Sequence, residues 1–210
     1  MFNQTLRTRW GPWLWWVSLN TIGAALGVLI AFIVMKASYV IFRMNEDGIG
    51  GFALGGAIVV CVGIAQWSVI RRYLPQATWW IVVSVAGLFF GAILIGFTNL
   101  IVVAIVGSDT VSELMQKEIL GMVVPLFLYG VSIGLGQWLF LRRFTAHAGW
   151  WVLSYGIGGA LLGLVLGGSI SSITDLIWFG TVPAITTGLV LVWLLQRPLT
   201  VIAGNEQNAA

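Results

Sequence analysis

The sequence predicts an all-α, polytopic membrane protein: a six-helix bundle built from three tandem two-helix hairpins. Three observations carry that expectation. The chain is 59% hydrophobic and only 8% charged, whereas soluble domains carry about 25% charged residues, so these charges are too few to cover a water-facing surface. Six apolar stretches are each long enough to cross a bilayer. A block of Gly, Gln, Trp and Arg recurs at a fixed offset. Glycine, at 27 of 210 residues, suits the same class, because small residues let helix backbones approach closely in lipid.

A helix rises about 1.5 Å per residue, so roughly 20 apolar residues cross the roughly 30 Å of hydrocarbon. The stretches run near Trp13–Met35, Gly50–Ile70, Thr78–Phe97, Ile119–Leu141, Gly149–Ile170 and Leu176–Leu195. Each is continuous rather than alternating, and only helices satisfy every backbone group inside one segment, as hydrocarbon demands. The first run is longer than the roughly 7–15 residue core of a cleaved signal, so it is expected to stay attached. After the break at Thr98–Asn99, the apolar run Leu100–Val106 fits either a longer third helix or a short interfacial segment. The connections Ala37–Asp47 and Leu100–Glu118 have room for short amphipathic helices, and the tail 198–210 is expected to be flexible.

Charge sets the expected orientation. Arg7, Arg9, Arg71, Arg72, Arg142, Arg143 and Arg197 fall on one side of the six spans, and Lys36, Arg43 and Lys117 on the other. The positive-inside bias then puts both termini in the cytoplasm. Eleven of the 12 tryptophans lie near the same ends as the arginines, Trp178 being the exception. Indole has an apolar body and a polar N–H, and it settles at the headgroup level.

The repeat is the strongest signal. Gly63, Gln66, Trp67, Arg71, Arg72, Ala77, Trp79, Trp80 and Gly87 are each matched 71 residues later, by Gly134, Gln137, Trp138, Arg142, Arg143, Ala148, Trp150, Trp151 and Gly158. Arg7, Trp15, Trp16, Gly23 and Gly27 precede Arg71, Trp79, Trp80, Gly87 and Gly91 by 64. Trp193 and Arg197 stand as Trp67 and Arg71 do, with the apolar Val192 where a glutamine would fall. The whole chain 1–210 therefore reads as one membrane domain of parallel repeat units, about 7–72, 73–143 and 144–197. A pseudo-threefold ring and a row of hairpins both fit. The tandem pattern over 63–87 and 134–158 resembles uncharacterised bacterial multi-pass membrane proteins with tandem Gln-Trp/Arg-Arg hairpins. The resemblance implies a bacterial inner membrane and assigns no residue a role.

Candidate functional residues are few. Gln66 and Gln137 place amides inside spans, where an unpaired donor or acceptor is costly. They fit hydrogen bonds between helices or a joint polar site. Arg71, Arg72, Arg142 and Arg143 suit phosphate headgroups, an anion or a protein partner. Gly23, Gly27, Gly87, Gly91, Gly159, Gly163 and Gly167 have helix-packing spacing. Asn20, Ser84, Asn99, Ser132, Tyr155, Thr186 and Thr187 add uncharged polar groups in or near spans, and Pro125 and Pro183 each fall early in a span and are expected to kink it. Asp, Glu, Lys and His are missing from span centres, which argues against ion-coupled transport. The one Cys61 and one His147 build neither a zinc site nor a haem site. No nucleophile–base pair is visible, so no catalytic residue, metal or cofactor is expected, and nothing suggests nucleic acid.

Two functions stay open. One is a structural or accessory subunit that meets lipids, and a membrane partner or itself, through glycine-rich helix faces. The other is a channel or transporter for a lipid or weakly polar small molecule.

Overall fold

The computed structural model describes residues 11–42, 46–108, 110, 118–167 and 173–196. Six helices account for most of them: α1 (Gly11–Phe42), α2 (Glu46–Ile70), α3 (Trp79–Val106), α4 (Glu118–Leu141), α5 (Gly149–Leu166) and α6 (Ile173–Leu195). Among the described residues there is no strand. Five of the helices are each long and apolar enough to cross a membrane, and the apolar part of α2 is Leu54–Ile70. The chain is a polytopic, all-α membrane protein.

One expectation about the connections changes, and one choice left open is decided. Residues 37–42 continue α1 rather than form a separate amphipathic helix. The third helix does not stop at Thr98–Asn99. The Thr98 hydroxyl donates to the carbonyl of Leu94, one turn back, at 2.8 Å. That bond satisfies the side chain within the helix, which runs on to Val106 and ends at Gly107 with φ 85°. At the other end of the size range, α5 has 18 residues and stops at Gly167, whose φ of 59° lies in the left-handed region. Residues 111–117 of the second outer connection and the tail 198–210 lie outside the described residues, as do Arg7, Arg9, Arg43, Lys117 and Arg197.

The helices form a closed ring. Each packs against its neighbour in chain order, and α6 closes the circle against α1. The N-terminal ends of α1, α3 and α5 meet the C-terminal ends of α2, α4 and α6, since Trp80 bonds Gln66 and Trp151 bonds Gln137. We refer to this as the tryptophan end. The largest buried cluster lies there, around Trp16, Trp80, Trp151, Ile70, Phe140 and Leu191. The turns 71–78 and 142–148 join α2 to α3 and α4 to α5 at this end. Their exposure pattern is identical residue for residue over 71–80 and 142–151, with Leu74 and Thr145, then Ala77 and Ala148, buried at matching positions.

Apolar side chains gain nothing by leaving lipid for one another, so helix contacts in a membrane rest on close packing and hydrogen bonds. Both are present. A Cβ at Gly27 would stand 2.5 Å from the Ile58 Cα, one at Gly87 2.7 Å from the Ile133 Cα, and one at Gly163 2.6 Å from the Val123 Cα. These are backbone contacts that no side-chain movement relieves. Gly23 and Gly159 also meet backbone, at Cys61 and Leu126, whereas Gly91 meets the side chains of Tyr129 and Ser132. Gly167 is different: it has open space around it and serves as the left-handed end of α5. Pro183 lies within α6, and its carbonyl accepts from the Thr186 and Thr187 hydroxyls at 2.9 and 2.7 Å.

Candidate functional site: a buried tryptophan–glutamine network

The second Trp of each Trp-Trp pair turns inward and the first turns outward. Trp16, Trp80 and Trp151 are fully buried, while Trp15, Trp79 and Trp150 are 59%, 57% and 56% exposed. Neighbouring residues on a helix point about 100° apart, so one indole of each pair reaches the middle of the ring and the other faces the surroundings. The inner rings meet edge to face, with centroids 5.7 Å apart for Trp16–Trp151 and 5.6 Å for Trp80–Trp151, the geometry that the aromatic quadrupole favours.

Each inner indole N–H donates to the helix before it in the ring. Trp80 donates to Gln66 Oε1 at 2.9 Å and Trp151 to Gln137 Oε1 at 2.7 Å, both across 14 residues of chain. Trp16 donates to Thr187 Oγ1 on α6 at 3.0 Å, across 171 residues. In the third hairpin the acceptor is thus not at Val192, where the sequence match puts it, but at Thr187, further from the tryptophan end.

The two amides then join the units. Gln137 Nε2 donates to Gln66 Oε1 at 3.1 Å and to Ser84 Oγ at 2.7 Å. Gln66 Nε2 donates to Asn20 Oδ1 at 2.7 Å and to the Tyr155 hydroxyl at 2.6 Å. An amide nitrogen has two donors and its oxygen two lone pairs, so Gln66 is filled to capacity. Asn20, in turn, donates to the Trp16 carbonyl at 2.7 Å, and Ser84 to the Trp80 carbonyl at 2.7 Å. Among the described residues no buried side-chain nitrogen or oxygen lacks a partner. The network members Asn20, Gln66, Ser84 and Gln137 are each no more than 2% exposed, so side chains fill the middle of the ring at this end.

Sequence reasoning singled out the glutamines but not the ring of partners. A signal was available: the residue four after each inner tryptophan is polar in all three units, as Asn20, Ser84 and Tyr155. One turn separates them from the indole, so they share its face. The side chains differ in all three units, which hides the equivalence.

The arginines lie apart from this network, outside the ring. The Arg71 guanidinium stands 4.5 Å over the Trp67 ring and Arg142 5.2 Å over Trp138. Arg72 and Arg143 are exposed beside them. In the third unit Trp193 is met instead by His147, at 5.5 Å between ring centroids, and by Trp150 at 6.5 Å. Among the described residues no group of His, Cys, Asp and Glu is placed to hold a metal ion, and Cys61 is a half-buried free thiol.

Comparison with protein families, curated proteins and solved structures finds no match for this chain. The class rests on its own fold: a six-helix membrane ring locked at one end by three indoles and two amides.

Proposed function

We propose that the protein is a structural or accessory subunit of a membrane protein complex, without catalytic activity, in a bacterial inner membrane with both termini cytoplasmic. One observation carries this reading: among the described residues every buried side-chain nitrogen and oxygen already has a hydrogen-bond partner. A solute site in a bundle needs polar groups that converge on a space and await a ligand. Here the best candidates, Gln66 and Gln137, serve as struts between helices. The inner indoles stand in the middle of the ring, where a transport path along its axis would run. The glycine faces are occupied largely by the chain's own helices, so a partner would be met by the apolar perimeter and the polar ends.

Affinity purification of the tagged full chain in mild detergent tests the proposal. The expected result is stoichiometric co-purification of another membrane protein, with no solute flux when the chain alone is placed in vesicles. A solitary chain that conducts a solute, and stops doing so on Gln66→Leu with Gln137→Leu while still folded, would replace this reading by the transporter one. Orientation is checked separately by His147→Cys in a Cys61→Ala background. An impermeant thiol reagent should label that cysteine only after the inner face is opened.

A further inference from the structure

We propose that the turns after α2 and α4 are two equivalent binding sites for anionic phospholipid, each holding the lipid phosphodiester between the adjacent guanidiniums Arg71–Arg72 and Arg142–Arg143. The first arginine of each pair is held by a cation–π contact over the indole one turn earlier, Trp67 or Trp138. The guanidinium is planar. Its N–H donors lie along the edge, in a fork that matches two phosphate oxygens. The second arginine is exposed next to it.

Charge makes the site selective. The described carboxylate residues all belong to the opposite end of the bundle: Glu46 and Asp47 open α2, Glu118 opens α4, and Asp175 lies in the first turn of α6. Two guanidiniums with no carboxylate near them among the described residues favour a headgroup with net negative charge. A zwitterionic headgroup brings its own ammonium into the same positive field and gains far less.

The surroundings fit a lipid rather than free phosphate. Below each turn an exposed apolar stripe runs down the next helix from the outward indole. It comprises Trp79, Val82 and Phe89 on α3, and Trp150, Leu153 and Ile157 on α5, each more than half exposed. Spacings of three, four and seven residues put such residues on one helix face, which gives the acyl chains a track that starts at headgroup level.

Native mass spectrometry of the full chain, released from detergent after incubation with dioleoyl phosphatidylglycerol or dioleoyl phosphatidylcholine, tests this. We expect two phosphatidylglycerol molecules to be retained beyond the phosphatidylcholine level. Arg71→Gln with Arg142→Gln should remove that excess, weakening binding roughly fivefold for each arginine lost. Lys36→Gln, at an exposed basic residue near the other end of α1, should leave it intact. If the double variant does not fold, Arg72→Gln with Arg143→Gln reads the same sites without disturbing the arginines over the indoles. Equal retention of the two lipids, an equal loss in Lys36→Gln, or displacement of phosphatidylglycerol by inorganic phosphate at the same concentration would each overturn the proposal.

Discussion

Gln66 and Gln137 show how much a single side chain does in this interior. Gln66 receives Trp80 and Gln137 on its oxygen and reaches Asn20 and Tyr155 through its nitrogen. Interhelical hydrogen bonds in membrane proteins contribute only about 0.6 kcal/mol on average, but removing one partner orphans the others, at about 1–3 kcal/mol for a buried group. Gln66→Leu is therefore expected to destabilise the protein by about 2–4 kcal/mol, more than a single bond suggests, and Gln137→Leu by less. Because the two share a bond, the double variant should cost less than the sum of the singles, as read from thermal unfolding in detergent. If both singles melt with the unaltered protein, the network is not a structural lock. These amides were legible in the sequence as polar residues repeated inside apolar spans. Their partners were not, because an amide's partner depends on which helices face one another across the ring. Thr187 illustrates the limit: it replaces the missing glutamine from more than one helical turn away, where no alignment of the repeats would look.

Individual helices are defined less by what their side chains add than by where side chains are missing. Gly27, Gly87 and Gly163 each bring the backbone of a second helix so near that a methyl group must displace it. Alanine at any of these is expected to destabilise by about 1–3 kcal/mol through overpacking. Gly96, inside α3 with open space around it, is the internal comparison. There alanine should be neutral or stabilising by up to about 1 kcal/mol, from helix propensity alone. Equal effects at Gly27 and Gly96 in the same melting assay would count against close packing as the source of helix association. The spacing of four between small residues announced most of these contacts. Gly167 has the same spacing and a different role, since sequence spacing alone does not separate a packing glycine from one that ends a helix. Helix lengths were legible to within a few residues where polar turns bound them, as at Ile70 and Leu141. They stayed open where apolar residues continue past one polar pair, as after Thr98.

The molecule as a whole is a ring whose first and last helices meet as neighbours. That seam is built from the Trp16–Thr187 bond, from the Thr21 and Thr181 hydroxyls 3.0 Å apart, and from Trp13 Nε1 donating to the Ile185 carbonyl at 3.4 Å. Cysteines replacing Thr21 and Thr181 in a Cys61→Ala background should therefore join under mild oxidation, giving a circularised monomer with shifted mobility on a denaturing gel. A row of hairpins would leave the pair apart and the mobility unchanged. The repeat in the sequence allowed either arrangement, because it records that the hairpins are alike and not how the outermost ones end.

The unequal lengths of α3 and α5 carry one more consequence. They differ by ten residues, 28 against 18, which is about 15 Å of helix, although both cross the same bilayer. At the average tilt of about 20° α3 still spans about 39 Å, and only a tilt near the upper limit of about 40° brings it to about 32 Å. Its last turns carry Leu100, Ile101 and Ile105 exposed, apolar residues that lipid has to reach. At ordinary tilts the leaflet is expected to be drawn up beside α3 and thinned beside α5, a gradient of membrane thickness around the circumference. Reconstitution into vesicles of graded acyl-chain length should give a broad optimum rather than a sharp one, because no single thickness suits both flanks.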